Sequence, residues 1–140
     1  YRDSEGPFPQ VFFRTGDRVV RHEDGLLRFL GRFGRMVKTR GHRVELDEIE
    51  MILSSLDDVI EVAAYTVPDE LGSVTVLAGV TIQASSDANE SSLLQFAKAN
   101  LPPYAVPRRI RVLDAMPHTS TGKIDRQTLV KNAMGREQEQ

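Results

Sequence analysis

The chain alternates short apolar runs with polar turns, and the spacing of those runs predicts its elements. Residues 1–10 are polar, carry Gly6, Pro7 and Pro9, and read as a loop. Val11, Phe12 and Phe13 open a strand that Thr15-Gly16-Asp17 interrupts and Val19-Val20 resumes. Glu23-Asp24-Gly25 is a hairpin signal, and Leu26 to Leu30 returns as the second strand. A lone hairpin has too little surface for a core of its own, so this unit belongs with a larger neighbouring domain. Gly31-Arg32-Phe33-Gly34 is the first boundary. Its glycines open backbone conformations closed to other residues, which suits a hinge and equally a bulge or plain turn.

After Gly34 the pattern becomes that of a compact α+β domain. Met36-Val37-Lys38 predicts a short strand, Arg40 to Arg43 a turn or tight loop, and Val44 an extended return. Leu46, Ile49, Leu53 and Leu56 fall on one helical face, and Asp47, Glu48 and Glu50 load its N-terminal turns with carboxylates, as the helix dipole favours. Val59 to Val67 is a strand closed by Pro68, and Val74 to Ile82 is its partner. The polar run from Ser85 to Glu90 caps a helix with Leu93, Leu94, Phe96, Ala97 and Leu101 as apolar positions, which Pro102-Pro103 ends. Ile110 to Leu113 is a further strand. The expected architecture is a small β-hairpin followed by a domain with a central mixed or antiparallel three-stranded sheet flanked by helices. The expected boundaries are 1–33 for the hairpin unit, 34–132 for the compact domain and 133–140 for a disordered tail. Strand-like sequence so soon after Tyr1 points to a piece of something longer.

Composition narrows the partners. The 140 residues are 40% hydrophobic and 27% charged with a net charge of −2, a balance that singles out neither nucleic acid nor a membrane. There is no apolar run of about 18 residues, and the first residues of this sequence do not read as a signal peptide. Cysteine is absent, which excludes disulfides and thiolate metal sites and fits a cytoplasmic protein. His22, His42 and His118 lack ligand spacing and read as surface residues, so no metal site is expected. Arg32, Arg35, Lys38, Arg40 and Arg43 form a basic run without an acidic residue. It suits phosphate groups, or else it is a solvated face neutralised by the acidic helix that follows.

The candidate chemistry lies near the C-terminus. Pro117, the hydroxylated residues 119–121 and Gly122 make a long helix improbable, whereas Asp125 onward reads as a helix start with Leu129 and Val130 apolar. Lys123 then sits at the tip of a loop braced by a helix. A Walker A loop is excluded, because Pro117 stands where its first glycine is needed and Ile124 follows the lysine. Taken alone, Gly122-Lys123 reads more readily as a solvated turn than as a catalytic tip.

Three separated motifs change that reading. Phe13-Arg14-Thr15-Gly16-Asp17 resembles Tyr-(Arg/Lys)-Thr-Gly-Asp of the adenylate-forming ligases. The run from Gly31 to Leu46, with Glu48-Ile49-Glu50, resembles their Gly-Arg-x-Asp-x-Gln-Val-Lys-Ile-Arg-Gly-x-Arg-Ile/Val-Glu-Leu-x-Glu-Ile-Glu. Thr121-Gly122-Lys123-Ile124-Asp125-Arg126 is similar to the closing Asn-Gly-Lys-Val/Ile-Asp-Arg, and Pro102 to Pro107 to the Leu-Pro-x-Tyr-Met-Val/Ile-Pro that precedes it. In order and spacing, the chain from Phe12 to Leu129 is similar to the C-terminal part of nonribosomal peptide synthetase adenylation domains.

The resemblance implies a two-step ligase. A carboxylic or amino acid and ATP would give an acyl-adenylate, and the acyl group would then pass to the phosphopantetheine thiol of a peptidyl or acyl carrier protein. Asp17 would bind the ribose hydroxyls and Arg32 the ribose and phosphate. Lys123 would meet the substrate carboxylate and the α-phosphate. The loop of Arg40, Gly41, His42 and Arg43 would border the pantetheine channel in the second step, after a swing about Gly34. The large N-terminal adenylation subdomain, with ATP and Mg2+, would hold the remaining machinery, so the fragment alone is expected to be inactive. Gly34 departs from the family's usual Asp and Met36 from its usual Gln. Leu46 stands where acyl-CoA synthetases tend to have proline, which favours a carrier-protein thiol over CoA. Two readings stay open beside it: an acyl-CoA synthetase C-terminal domain, and a non-catalytic ferredoxin-like regulatory or carrier-docking module.

Overall fold

The structure, a computed structural model, describes residues 2–3, 10–11, 17–32 and 35–137, in two compact units, Tyr1–Gly34 and Arg35–Gln140. In the first unit β1 (Arg2–Asp3) pairs antiparallel with β2 (Gln10–Val11), inside the stretch expected to be loop. β3 (Asp17–Arg21) and β4 (Leu27–Arg32) form the expected hairpin, turned by Gly25 at φ +80° and by Asp24, whose Oδ1 accepts the Leu26 N–H at 2.9 Å. Asp17 is not in an interruption: it begins β3. Gly31 and Arg32 continue β4 opposite Arg18 and Asp17, because the ladder satisfies their backbone groups. Val19, Val20, Leu26 and Leu27 stay exposed, so the hairpin buries little by itself. Phe12 to Gly16 and the hinge candidate Gly34 lie outside the described residues.

The second unit opens with a tight hairpin, β5 (Met36–Thr39) and β6 (His42–Glu45), leading directly into α1 (Leu46–Ser54). No side chain caps α1. Asp47 and Glu48 in its first turn favour the dipole, and the Arg35 carbonyl accepts the Leu46 N–H at 3.1 Å. The α+β core is a three-stranded mixed sheet in the order β7 (Val59–Pro68), β8 (Val74–Ile82), β9 (Arg109–Val112). β8 is central, antiparallel to β7 and parallel to β9. The parallel pair requires a crossover, which α2 (Glu90–Asn100) and a 3₁₀ turn at Pro103–Ala105 supply. Asn89 and Ser92 close a reciprocal capping box at the start of α2. A ferredoxin-like module would draw four strands into one sheet. Here β5 and β6 keep to their own two-stranded sheet, so the ferredoxin-like fold does not apply.

Alternation along β7 sends side chains to two cores. Val62 and Ala64 join Val76, Ala78 and Val80 against α1 and α2, where Ile49, Leu53 and Leu93 are essentially fully buried. Ala63, Tyr65 and Val67 face the other way, against Leu129 and Ala133 of α3 (Arg126–Glu137). The sheet is thus covered on both faces, which accounts for the near-continuous apolar run of β8. Gly79 admits α3 closely: a Cβ there would lie 3.0 Å from Leu113 Cδ1 and 3.6 Å from Leu129 Cδ2. The tail expected from residue 133 is corrected to helix as far as Glu137, because Ala133 is buried against the sheet and carries the helix onward.

Candidate functional site

Lys123 stands on a loop fixed from both ends. Met116 is buried before it, and Ile124 packs on the α3-side core after it. His118 bridges Ile124, the Thr119 N–H donates to the Lys123 carbonyl at 2.7 Å, and the Gly122 N–H donates to the Thr119 carbonyl at 3.0 Å. Gly122 turns the chain at φ +84°, where a side chain would be strained. His118 Nε2 lies 2.7 Å from Glu61 Oε1, tying the loop to the first residues of β7. Asp125 caps α3 from just outside it: Oδ1 accepts the Thr128 N–H at 3.1 Å and Oδ2 accepts the Thr128 hydroxyl at 2.8 Å. Those bonds, the hydroxyl's first, hold the Asp125 carboxyl below the usual range. The Lys123 side chain is exposed, and no carboxylate pairs with it among the described residues. Its backbone is held while its ammonium is available.

The loop of Arg40 to Arg43 is tighter than a four-residue turn. Thr39 and His42 are direct partners, leaving Arg40 and Gly41 as a two-residue turn with φ of 49° and 79°, the signs a type I′ turn demands. Arginine in that conformation costs roughly 1–2 kcal/mol. Lys38 faces Arg43 across the hairpin, a like-charge pair that also opposes folding, and no carboxylate pairs with Lys38, Arg40 or Arg43 among the described residues. The His42 ring stacks on Tyr104 at 4.6 Å between centroids and 8° between planes. That stack, Arg40 and Arg108 line one cleft of about 640 Å³, and Arg40, Arg108, Arg109 and Arg111 line a second of about 510 Å³.

The two loops lie at opposite ends of the sheet. The Thr39 hydroxyl donates to the Val74 carbonyl at the start of β8, whereas His118 is tied to Glu61, the partner of Thr81 near its end. From Val74 to Thr81 a strand runs about 23 Å at roughly 3.3 Å per residue. In the other unit, Asp17 and Arg32 are direct cross-strand partners.

Arg35 leaves the basic run for a structural task. Its Nε donates to Asp47 Oδ1 at 3.0 Å, its Nη2 contacts Asp47 Oδ1 and donates to Glu50 Oε2 at 2.5 Å, and its Nη1 reaches the Ala64 carbonyl at 3.4 Å. Burial works against its charge, but Glu50 and then Asp47 outweigh that and hold the guanidinium above its ordinary range. For Arg35 the acidic helix is the neutralising partner. Lys38, Arg40 and Arg43 remain for solvent or an anion.

Residues 48–123 match the AMP-binding enzyme C-terminal domain family. The chain belongs to that family. Over 119 residues it is 40% identical to tyrocidine synthase 2 of Brevibacillus parabrevis, covering 85% of this chain and 3% of that protein. It is 38% identical over 117 residues to surfactin synthase subunit 1 of Bacillus subtilis (84% of this chain, 3% of that protein), and 30% identical over 129 residues to the probable CoA ligase CCL9 of Humulus lupulus (92% and 25%). Among solved structures, apo MatB from Rhodopseudomonas palustris matches at TM-score 0.70 and 28% identity, over 86% of this chain and 24% of that one. This AMP-binding enzyme C-terminal domain therefore spans only a small part of its relatives' length. It has the fold and motifs of the C-terminal domain of adenylate-forming ligases, of the nonribosomal peptide synthetase type. No helix among the described residues is long and apolar enough to cross a membrane, and none of their acidic or histidine side chains cluster as metal ligands do.

Sequence reading singles out Tyr104 only as part of the motif from Pro102 to Pro107, and it gives Arg108, Arg109 and Arg111 no role. The signal was visible in the arginines crowded between Pro107 and Val112. Glu50 and Arg126 were missed as partners, although a carboxylate beyond the first helical turn gains little from the dipole and needs a cation.

Proposed function

We propose that this domain is the mobile C-terminal part of an enzyme that activates an amino acid, or another carboxylic acid, with ATP and loads it onto a carrier protein. In the first step a carboxylate oxygen attacks the α-phosphorus, giving acyl-AMP and pyrophosphate. In the second the phosphopantetheine thiolate attacks the acyl carbon and AMP leaves. Lys123 supplies a positioned cation where charge crowds in the first step, a contribution of several kcal/mol in a water-poor site. Asp17 and Arg32 bind the ribose and phosphate, and Gly34 is the hinge. Arg40, Gly41, His42 and Arg43 border the pantetheine channel in the second step. ATP and loaded carriers set the reaction in the cytoplasm. Mg2+ travels with the nucleotide and the large N-terminal subdomain.

The observation that carries this reading is the placement of the two motif loops at opposite ends of β8. Neither can serve a site while the other occupies it, so one small body presents two faces in turn. The exposed apolar residues of β3 and β4 fit a hairpin completed by the large subdomain. The like-charge pair of Lys38 and Arg43 and the strained Arg40 fit a hairpin that meets an anion. A second reading, with free CoA as acceptor, is favoured by the likeness to the probable CoA ligase. The test is ATP–pyrophosphate exchange and acceptor loading. Residues 1–140 alone should give no exchange. Joined to the large subdomain they should give exchange and load holo-carrier protein in preference to CoA. Exchange by the isolated chain, or none by the joined enzyme, overturns the reading.

A further inference from the structure

β7 is an edge strand, and midway along it the outward-facing backbone groups of Ala64 have specific partners. At Ala64 the N–H donates to Glu50 Oε1 at 2.9 Å, and the carbonyl accepts from Arg35 Nη1 at 3.4 Å. Glu50 Oε1 also accepts from Arg126 Nη2 at 2.8 Å, while its Oε2 accepts from Arg35 Nη2 at 2.5 Å. One carboxylate, 18% exposed, thus joins three parts of the fold. These are Arg35, the residue just past the proposed hinge; the middle of β7; and Arg126, the first residue of α3, which follows the Lys123 loop within three positions. Helices α1 and α3 lie on opposite faces of the sheet and share no apolar core. Glu50 bridges them around the β7 edge.

We infer that Glu50 is a positioning residue for Lys123, with Arg126 as its relay. The inference rests on the reading of Lys123 as the cation of the first step. Asp47 and Glu50 together balance Arg35 and Arg126, so the cluster is neutral and its bonds are charge-assisted on both sides. Such bonds are directional. They fix the first turn of α3, and through Asp125 and the bond from the Asp125 N–H to the Pro117 carbonyl at 2.9 Å they fix the exit of the lysine loop. With Arg35 in the same cluster, movement at the hinge carries the lysine rigidly instead of being lost in a loose joint. A helix held by its apolar face alone could shift along the sheet, and a displacement of about 1 Å at a reacting group can slow a reaction about 100-fold.

The test uses the joined enzyme carrying Glu50→Gln or, should that variant fold poorly, Arg126→Gln. Each is assayed for adenylate formation, for thiol transfer from preformed acyl-adenylate, and for thermal unfolding beside Lys123→Ala. We expect adenylate formation to slow about 10- to 100-fold, the size of effect when a partner that orients a functional side chain is lost. The fall should be in kcat rather than KM, with transfer near wild type and the domain still folding cooperatively. Equal loss in both steps with a lowered melting temperature makes Glu50 merely structural and overturns the inference. Unchanged adenylation in Glu50→Gln, where Lys123→Ala abolishes it, also overturns the inference and leaves the lysine assignment standing. Unchanged adenylation in Lys123→Ala removes both.

Discussion

The Thr39 hydroxyl donates to the Val74 carbonyl at 2.7 Å, and this bond, with Val44 in the core and His42 stacked on Tyr104, seats the β5–β6 hairpin at the start of the central strand. Thr39 is among the few buried polar residues, so the bond replaces water it cannot reach. Everything the hairpin carries, from Lys38 to Arg43, is thereby assigned to one end of the sheet. The lysine loop takes the other.

The turn at Arg40 and Gly41 should respond oppositely to two substitutions. Asparagine tolerates the left-handed region better than arginine, so Arg40→Asn should raise stability by up to about 1 kcal/mol. Gly41→Ala should lower it by about 1–2 kcal/mol, with open space around the new methyl excluding a clash as the cause. Urea unfolding checks both. A more stable Arg40→Asn that loads carrier poorly would show that the strain is kept for function.

Tyr65 should make the domain sensitive to alkali. Burial under α3 raises its phenol, against the opposing pull of Arg111 and then Arg136. A raised acid is neutral in the fold, so its stabilisation is complete below the ordinary value of 10.0 and is lost as pH rises through the higher folded value. Melting temperature followed from pH 8 to 11 should fall more steeply in wild type than in Tyr65→Phe. Parallel curves would contradict this.

Asp125 acts at the other extreme. Its carboxyl is depressed by Thr128, so its contribution is present above the ordinary 3.8 and fades as pH falls through the lower folded value. Asp125→Ala should melt below wild type at pH 7, and the gap should close well below pH 3.8. A gap that persists at low pH would assign the effect to something other than the charged cap.

Much of this was legible because the signals were local. Strands from Val59 to Pro68 and from Val74 to Ile82 read off β-branched runs ended by proline and glycine, and α1 read off Leu46, Ile49 and Leu53. The motifs located the candidate residues without saying where they would lie in space. The opposite placement of Lys123 and Arg40 depends on β9 running parallel to β8, which no local pattern encodes. The pairing of Arg35 stayed open between an anion and the acidic helix for a similar reason. Its partners Asp47 and Glu50 lie a helix away, and only the fold decides which cation of a basic run they take. The extension of α3 past residue 133 depended on burial of Ala133 against a distant sheet, against a polar local sequence.

The account turns on one domain serving two steps from two ends. Its most direct test is the half-reaction pair in the joined enzyme, measured for Lys123→Ala and for Gly41→Leu, which places a side chain in the open space where the pantetheine channel is proposed to pass. Lys123→Ala should lose adenylate formation by about 100- to 1,000-fold, the scale of removing one positioned donor to developing charge, and should transfer preformed acyl-adenylate at the wild-type rate. Gly41→Leu should do the reverse. If both variants slow the same step, the two loops share one task and the account is wrong.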